Sequence, residues 1–337
     1  MGDYLKREIE RRIVEFQQLP YLFVGTGVSM RYAHAPSWDA LLYGIWRMIN
    51  PLRDVRDYEK LKQGIERDIY SKYADLTEED KKYYINPVLA SKIEEDFCSR
   101  YYSMQDFDAE IFTKEENDEI LTKRYNPFKY YIARQLAKVK LDASMPDSHE
   151  LRYFIQNQNK FAGVITTNYD FVLEQLFQDF SVVIGQDNLL VSNTLNIFEI
   201  FKIHGCAGSP NSIVLTENDY AVFEHKLKYL SAKLFTIFVE HPIIFIGYGM
   251  GDVNIRRLFK EIAECLTTDQ LAKIKDNFIF ISPAFGEKES IGKRELVFEK
   301  HSIVITEIIL DDYSVLYQAF SKIQSSMPVK LARKLQN

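Results

Sequence analysis

Cysteine is nearly missing from this 337-residue chain: there are three, Cys98, Cys206 and Cys265, and none lies close to another. Thiols so dispersed form neither a Cys-x-x-Cys metal clamp nor a disulfide framework, and they suit a reducing compartment. No stretch approaches the roughly 18 consecutive apolar residues that span a bilayer. The opening residues MGDYLKREIERR are charged and helix-forming, unlike an apolar signal segment, and Gly2 is not followed by the Ser or Thr of a myristoylation signal. These absences lead us to expect a soluble, cytoplasmic protein with no membrane association. Positive charge is not in excess either. Lys and Arg number 42 against 48 Asp and Glu, a net charge of -6, which argues against direct nucleic-acid binding. Internal repeats and low-complexity tracts are also missing.

Apolar and aromatic residues are plentiful. Hydrophobic residues make up 46% of the chain, with 23 Phe and 21 Tyr, enough for one large domain plus an insert, or for two domains. Ile9–Phe16 has helical periodicity and stops before Pro20, and Ser37 is placed to cap a helix starting near Trp38. Short apolar runs at 21–24, 161–165, 182–184, 197–203, 213–215, 243–246, 278–281 and 303–305 read as buried strands. Helical stretches separate several of them, including one that Thr216 and Asp219 would cap reciprocally. The pattern predicts an α/β fold: a doubly wound, mostly parallel Rossmann-like sheet. Residues 51–147 differ, with charges and aromatics at helical spacing and no convincing strand. They are expected to form a helical insert or subdomain, broken near Pro51, Pro87, Pro127 and Pro146. That leaves 1–50 and 148–325 for the sheet domain and 326–337 as a tail.

Glycine is also scarce, 14 in all, yet six occupy three loops at predicted strand ends: Gly25 and Gly27, Gly205, and Gly247, Gly249 and Gly251. In a doubly wound sheet these ends form the ligand crevice. Glycine there admits a close backbone approach to phosphates, whose charge a following helix N-terminus attracts. The third glycine of the usual dinucleotide fingerprint is missing, because position 30 is Met30, so a standard hydride-transfer dehydrogenase is not favoured. Polar groups gather at the same ends: Asn168 and Asp170, His204, and Asp252 after the third glycine loop. An imidazole can take a proton near neutral pH, and an amide can orient a water or a hydroxyl from both its faces. Ser29 lies outside a Gly-x-Ser-x-Gly elbow, so a hydrogen bond to ribose or phosphate suits it better than nucleophilic attack. The other histidines suit structural or surface positions, and no histidine pair or His-Asp cluster has metal-ligand spacing.

Four segments, GTGVS at 25–29, TTNYD at 166–170, KIHG at 202–205 and FIGYGMGD at 245–252, occur in the order found in the sirtuin-like superfamily. Together they resemble its bacterial branch active in antiphage defence, over about 15–50 and 150–310. The resemblance implies a domain that binds NAD as its substrate and hydrolyses it to nicotinamide and ADP-ribose. It implies Asn168 and His204 as catalytic residues, with His204 acting on water or on a ribose hydroxyl. Gly25, Thr26, Gly27, Ser29, Thr167, Asp170, Gly247, Tyr248, Gly249 and Asp252 would line the NAD site, with Thr26 in place of the usual central alanine and Thr167 in place of a glutamine. The four-cysteine zinc module of sirtuin deacylases is missing, and MRYAHAPSWDALL offers no clean equivalent of the arginine those enzymes carry after the first glycine motif. No metal is therefore expected. Both gaps weaken the alternative of NAD-dependent protein-lysine deacylation; a non-catalytic NAD- or ADP-ribose-binding scaffold is a further alternative. The resemblance also suggests a homo-oligomer, with a HerA-type ATPase or another defence sensor as partner. Tyr70, Tyr83, Tyr84, Phe97, Tyr101, Tyr102, Phe128 and Tyr130 would serve either such an interface or the insert's own core.

Overall fold

A computed structural model describes residues 2–103, 111–185, 197–249, 258–260, 262–264, 266–274, 276–298 and 301–324. The side chains of residues 2, 79–80, 225–231, 268, 272–273 and 301 are outside the description.

The chain opens with helix α1 (Gly2–Val14) and strand β1 (Tyr21–Val24), followed by α2 (Thr26–Ala33) and α3 (Trp38–Ile49). Helices α4 (Val55–Lys72), α5 (Glu78–Ser103), α6 (Lys114–Lys123), α7 (Pro127–Leu136) and α8 (Leu151–Gln156) come before the second strand. Then follow β2 (Gly163–Thr166), α9 (Val172–Leu176), β3 (Ser181–Ile184), β4 (Glu199–Lys202), α10 (Glu217–Glu240) and β5 (Ile243–Ile246). Helix α11 (Thr268–Ile274), strands β6 (Phe278–Pro283), β7 (Ser290–Phe298) and β8 (His301–Leu310), and α12 (Ser314–Ala319) complete it.

Among the described residues, eight strands form one sheet in the order β3-β4-β2-β1-β5-β6-β8-β7. Every pairing is parallel except β7 with β8. The α/β, mostly parallel Rossmann-like architecture expected from the sequence is the one observed. All four residues of β1, β2, β4 and β5 are buried, because helices cover both faces of a parallel sheet. That is why these strands read as continuous apolar runs. Two expectations need correction. The run 213–215 is largely buried but is not a strand: Val214 N–H donates to the His204 carbonyl at 2.9 Å, and in place of a ladder side chains hold the rest, the Tyr169 hydroxyl donating to the Val214 carbonyl at 2.6 Å and Lys129 Nζ to that of Ile213 at 3.0 Å. Strand β7 was not expected at all, since it is a charged edge with only Leu296 buried and shows no apolar alternation.

The helical stretch between β1 and β2 is built around α5, which packs on α3, α4, α7 and α10. Reciprocal caps start three helices: Asp54 with Asp57, Thr113 with Glu116, and, as the sequence suggests, Thr216 with Asp219. Asn126 caps α7, whose first residue is Pro127, a position where the missing N–H costs nothing. Pro87 does not break the chain. It lies inside α5, where buried Leu89, Ala90, Ile93 and Phe97 hold the next turns against the core. Of the aromatics named above, Phe97 and Phe128 are fully buried, Tyr83 and Tyr101 nearly so, and Tyr102 is exposed. The rings of Phe97 and Phe128 lie 5.8 Å apart, inside the helical stretch's own core. No helix among the described residues is long and apolar enough to cross a membrane.

Candidate active site

Strand order changes direction at β1: the chain moves to β2 on one side and later returns to β5 on the other. Ligand crevices open at such a switch point. The loops leaving β1 and β5 meet there directly. Gly27 N–H donates to the Gly247 carbonyl at 2.9 Å, and Gly25 N–H to that of Ile246 at 2.9 Å. A Cβ at Gly25 would lie 2.6 Å from the Gly247 oxygen, and one at Gly27 would lie 2.8 Å from the same atom. Gly247 itself has φ +79°, and its Cβ would lie 2.7 Å from the Gly25 oxygen. These three glycines therefore serve the contact of loop on loop, whatever else approaches them. Gly249 is different: among the described residues a Cβ there meets nothing within 4 Å, and the residue lines the crevice. Gly205, with φ +96°, serves a turn, since its Cβ would lie 2.2 Å from the Ser212 oxygen.

The expected glycine turn at 25–29 contains the start of α2. Gly25 is its N-cap and offers no side-chain bond, so the positive end of the helix faces the crevice uncapped by a side chain. Beneath it lies a polar layer. Thr166 Oγ1 donates to the Val24 carbonyl at 2.7 Å and accepts from Asn168 N–H at 3.0 Å, which ties the loop after β2 to β1. The Asn168 amide then bridges two hydroxyls: Nδ2 donates to Ser29 Oγ at 3.3 Å, and Oδ1 accepts from Thr26 Oγ1 at 3.4 Å. Ser29 is fully buried and Asn168 is 5% exposed. Both stand one layer below the crevice wall, a depth that spacing in the sequence did not reveal. Asp170 turns away: its Oδ1 accepts from Val172 N–H at 2.9 Å and starts α9, while the buried Lys202 ammonium donates to its carbonyl and to Glu174 at 2.6 Å. Asp252 lies outside the described residues.

The crevice has a volume of about 1070 Å³, and its wall includes Thr26, Gly27, Thr167, Gly247, Tyr248 and Gly249. Thr167 Oγ1 and the Tyr248 hydroxyl are 2.9 Å apart across the loops. His204 stands at the end of β4 and also reaches the wall. Its ring is held edge to face by Phe223 at 4.8 Å and by Tyr220 at 5.7 Å. Burial pushes its pKa down to about 4, so it is neutral at physiological pH. Lys82, Tyr83 and Asn86 of α5 form another part of the wall, so the helical stretch borders the crevice. Beyond the switch point the crevice continues past Ser282 to Arg294 and Glu307, which pair at 3.1 Å.

Arg31, one turn into α2, also lines the crevice and was not singled out from the sequence. Its guanidinium is bidentate with Glu150, at 3.0 and 2.7 Å, and lies 4.3 Å from the centre of the Tyr313 ring. Burial works against its charge, but Glu150 outweighs that and holds its pKa above the ordinary arginine value. Glu150 is fully buried and also accepts from the Tyr32 hydroxyl and, at 2.7 Å, from Tyr313 N–H. One carboxylate thus locks α2 to the start of α12. His149, Glu150 and Asp312 bring ligand atoms within 4.8 Å of one another. Since Arg31 already occupies both Glu150 oxygens, this grouping suits a guanidinium better than a metal ion.

Comparison with known proteins bears on what this arrangement does. The family described as the SIR2-like domain matches residues 162–306. The chain is 32% identical over 137 residues to "Defense-associated sirtuin 2" of Bacillus subtilis, covering 39% of this chain and 13% of that protein. It is 26% identical over 184 residues to "NAD(+) hydrolase ThsA" of Enterococcus faecium, covering 47% of this chain and 37% of that protein. The matches thus span well under half the length of either relative. The SIR2-like match contains three of the four segments, TTNYD, KIHG and FIGYGMGD, and the sirtuin-like, defence-associated resemblance read from the sequence holds.

Proposed function

We propose that this sirtuin-like chain hydrolyses NAD to nicotinamide and ADP-ribose, as an effector of antiviral defence. The observation that supports the reading most is the neutral, wall-lining His204 at one end of a crevice whose middle is the N-terminus of α2, which no side chain caps. Such an N-terminus attracts the pyrophosphate, and the His204 end then receives the nicotinamide riboside. When the C1′–N bond breaks, the bonding pair passes to the pyridinium nitrogen and nicotinamide leaves neutral. Water oxygen bonds to C1′, and His204 accepts the proton that water sheds, directly or through a ribose hydroxyl, before releasing it to solvent. Asn168, gripping Thr26 and Ser29, holds the floor on which the ribose rests. The relative named as an NAD(+) hydrolase supports the same reaction.

Incubating the purified protein with NAD and separating the products by chromatography and mass spectrometry tests this. Nicotinamide and ADP-ribose in equal amounts are expected. NAD that binds and stays intact would leave a scaffold role, and O-acetyl-ADP-ribose formed with acetylated peptides would mean deacylation. An unrestrained NAD hydrolase harms its own cell, so the proposal includes control by self-assembly or by a sensor subunit. Light scattering beside the cleavage assay checks that part: a monomer with full, concentration-independent activity excludes it.

A further inference from the structure

A buried histidine is ordinarily oriented by a hydrogen bond to its second ring nitrogen. Among the described residues, the His204 imidazole makes none, nor any ion pair. Rotation about its terminal torsion is broad and roughly two-fold, so something else must decide which nitrogen faces the crevice. The contacts present are ring contacts: Phe223 at 85° and Tyr220 at 85°, both from α10. Tyr220 is 8% exposed, and its own ring is held by Tyr83 of α5, 5.3 Å away at 83°. Tyr83 in turn meets Tyr84 edge-on at 5.3 Å, and Tyr84 stacks on Tyr73, just past α4, at 4.5 Å. The start of α10 is tied to the same helical stretch. Glu217 N–H donates to Ser91 Oγ of α5 at 2.9 Å, and Lys129 of α7 pairs with Asp219 at 2.5 Å.

We propose that Tyr220 is a positioning residue for His204, and that Tyr83 passes the placement of helix α5 to the imidazole through it. The proposal rests on the NAD-cleavage reading for its kinetic consequences but not for its geometry. A helix bordering the crevice thereby sets the angle of the proposed proton acceptor, so whatever displaces α5 also turns His204.

The test compares Tyr220→Leu, Tyr220→Phe, Tyr83→Leu and the double leucine variant in the intact chain. A misplacement of about 1 Å costs on the order of 100-fold, so Tyr220→Leu is expected to lower kcat by about 30-fold with KM held within about threefold. Tyr220→Phe keeps the ring and stays within about threefold of wild type. Tyr83→Leu lowers kcat by about fivefold, and the double variant falls no further than Tyr220→Leu, because both act along one path. The second readout is the ring-15N titration of His204 by NMR, which needs no activity. The titratable group packed against the imidazole is the phenol of Tyr220 on α10, while Tyr83 and Lys82 of α5 and Tyr248 share the crevice wall with it. Burial alone holds the ring near about 4. Removing the Tyr220 ring admits water and is expected to move the titration up, towards the ordinary value.

An unchanged kcat in Tyr220→Leu, or an equal loss in Tyr220→Phe, overturns the proposal; the latter would give the hydroxyl, not the ring, the active part. Where Tyr220→Leu does not fold, Tyr83→Leu carries the test, and wild-type kcat there overturns it. If the wild-type protein releases no nicotinamide, the cleavage reading falls. The titration then decides alone: an upward move in a folded tyrosine variant supports the positioning, and an unmoved one overturns it.

Discussion

Acidification tests the environment of His204 without any assumption about the substrate. The ring is 5% exposed, and burial lowers its pKa to about 4, against about 6.5 in an unfolded chain. Because the folded value is depressed, the unfolded chain binds the extra proton. The imidazole therefore costs no stability above about pH 7. As pH falls below 6.5, it withdraws stability progressively, and the loss levels off only below about 4. Integrating that linkage predicts a loss from this one ring of about 2 kcal/mol by pH 5 and about 3 kcal/mol by pH 4. Carboxylates titrate in the same range, so the measurement is a difference. Urea unfolding of wild type and His204→Gln at about pH 7.5, 6.5, 5.5 and 5 cancels the groups they share. The variant is expected to gain on wild type by about 2 kcal/mol across the series. A difference that stays flat within about 0.5 kcal/mol would mean that the ring is solvated. The neutral-imidazole argument would then fail.

Five further outcomes are expected. His204→Ala and Asn168→Ala should each remove nearly all nicotinamide release while leaving circular dichroism unchanged; a folded H204A with wild-type release would refute the assignment. Gly27→Ala drives a Cβ to 2.8 Å from the Gly247 oxygen and should destabilise by about 2 kcal/mol as well as weaken NAD binding. Gly249→Ala has open space, so any loss there should appear in calorimetric NAD affinity and not in the melting temperature. Glu150→Gln leaves the Arg31 charge short of its partner and should cost about 3 kcal/mol, a shift that a thermal melt resolves and whose absence would show the network to be slack. Chelation with EDTA should leave nicotinamide release unchanged, and lost activity restored by zinc would contradict that.

The sheet was legible wherever burial on both faces made a strand uniformly apolar, as in β1 and β5. It was illegible where a strand faces water: β7 carries Lys293, Arg294 and Glu295 in succession and borrows its order from the pairing with β8. The apolar run at 213–215 misled for the opposite reason, since burial without a neighbouring ladder looks the same in a sequence. Around the crevice, the loops bearing His204, Thr167 and Gly247 were visible because polar residues stand just beyond apolar runs. Arg31 and Glu150 were not, because a charge pair separated by 119 residues leaves no local pattern. The depth of Ser29 and Asn168 was hidden too, as hydroxyl and amide types look alike whether they face a ligand or one another.

The placement of β1 has a consequence for how the protein is made. Tyr21 pairs with Gly163 on one side and with Ile243 on the other, so the central strand of the sheet finds its partners only after long stretches of chain have followed it. At a synthesis rate of about 5 to 20 residues per second, β1 waits about 10 to 40 seconds for its second neighbour. Through that interval the Gly25 loop has no Gly247 to pack against, and the crevice has only one lip. Contacts this distant fold slowly and expose an unpaired apolar strand on the ribosome, which favours chaperone protection of the N-terminal segment. They also mean that no nascent fragment ending before β5 can hold a complete crevice.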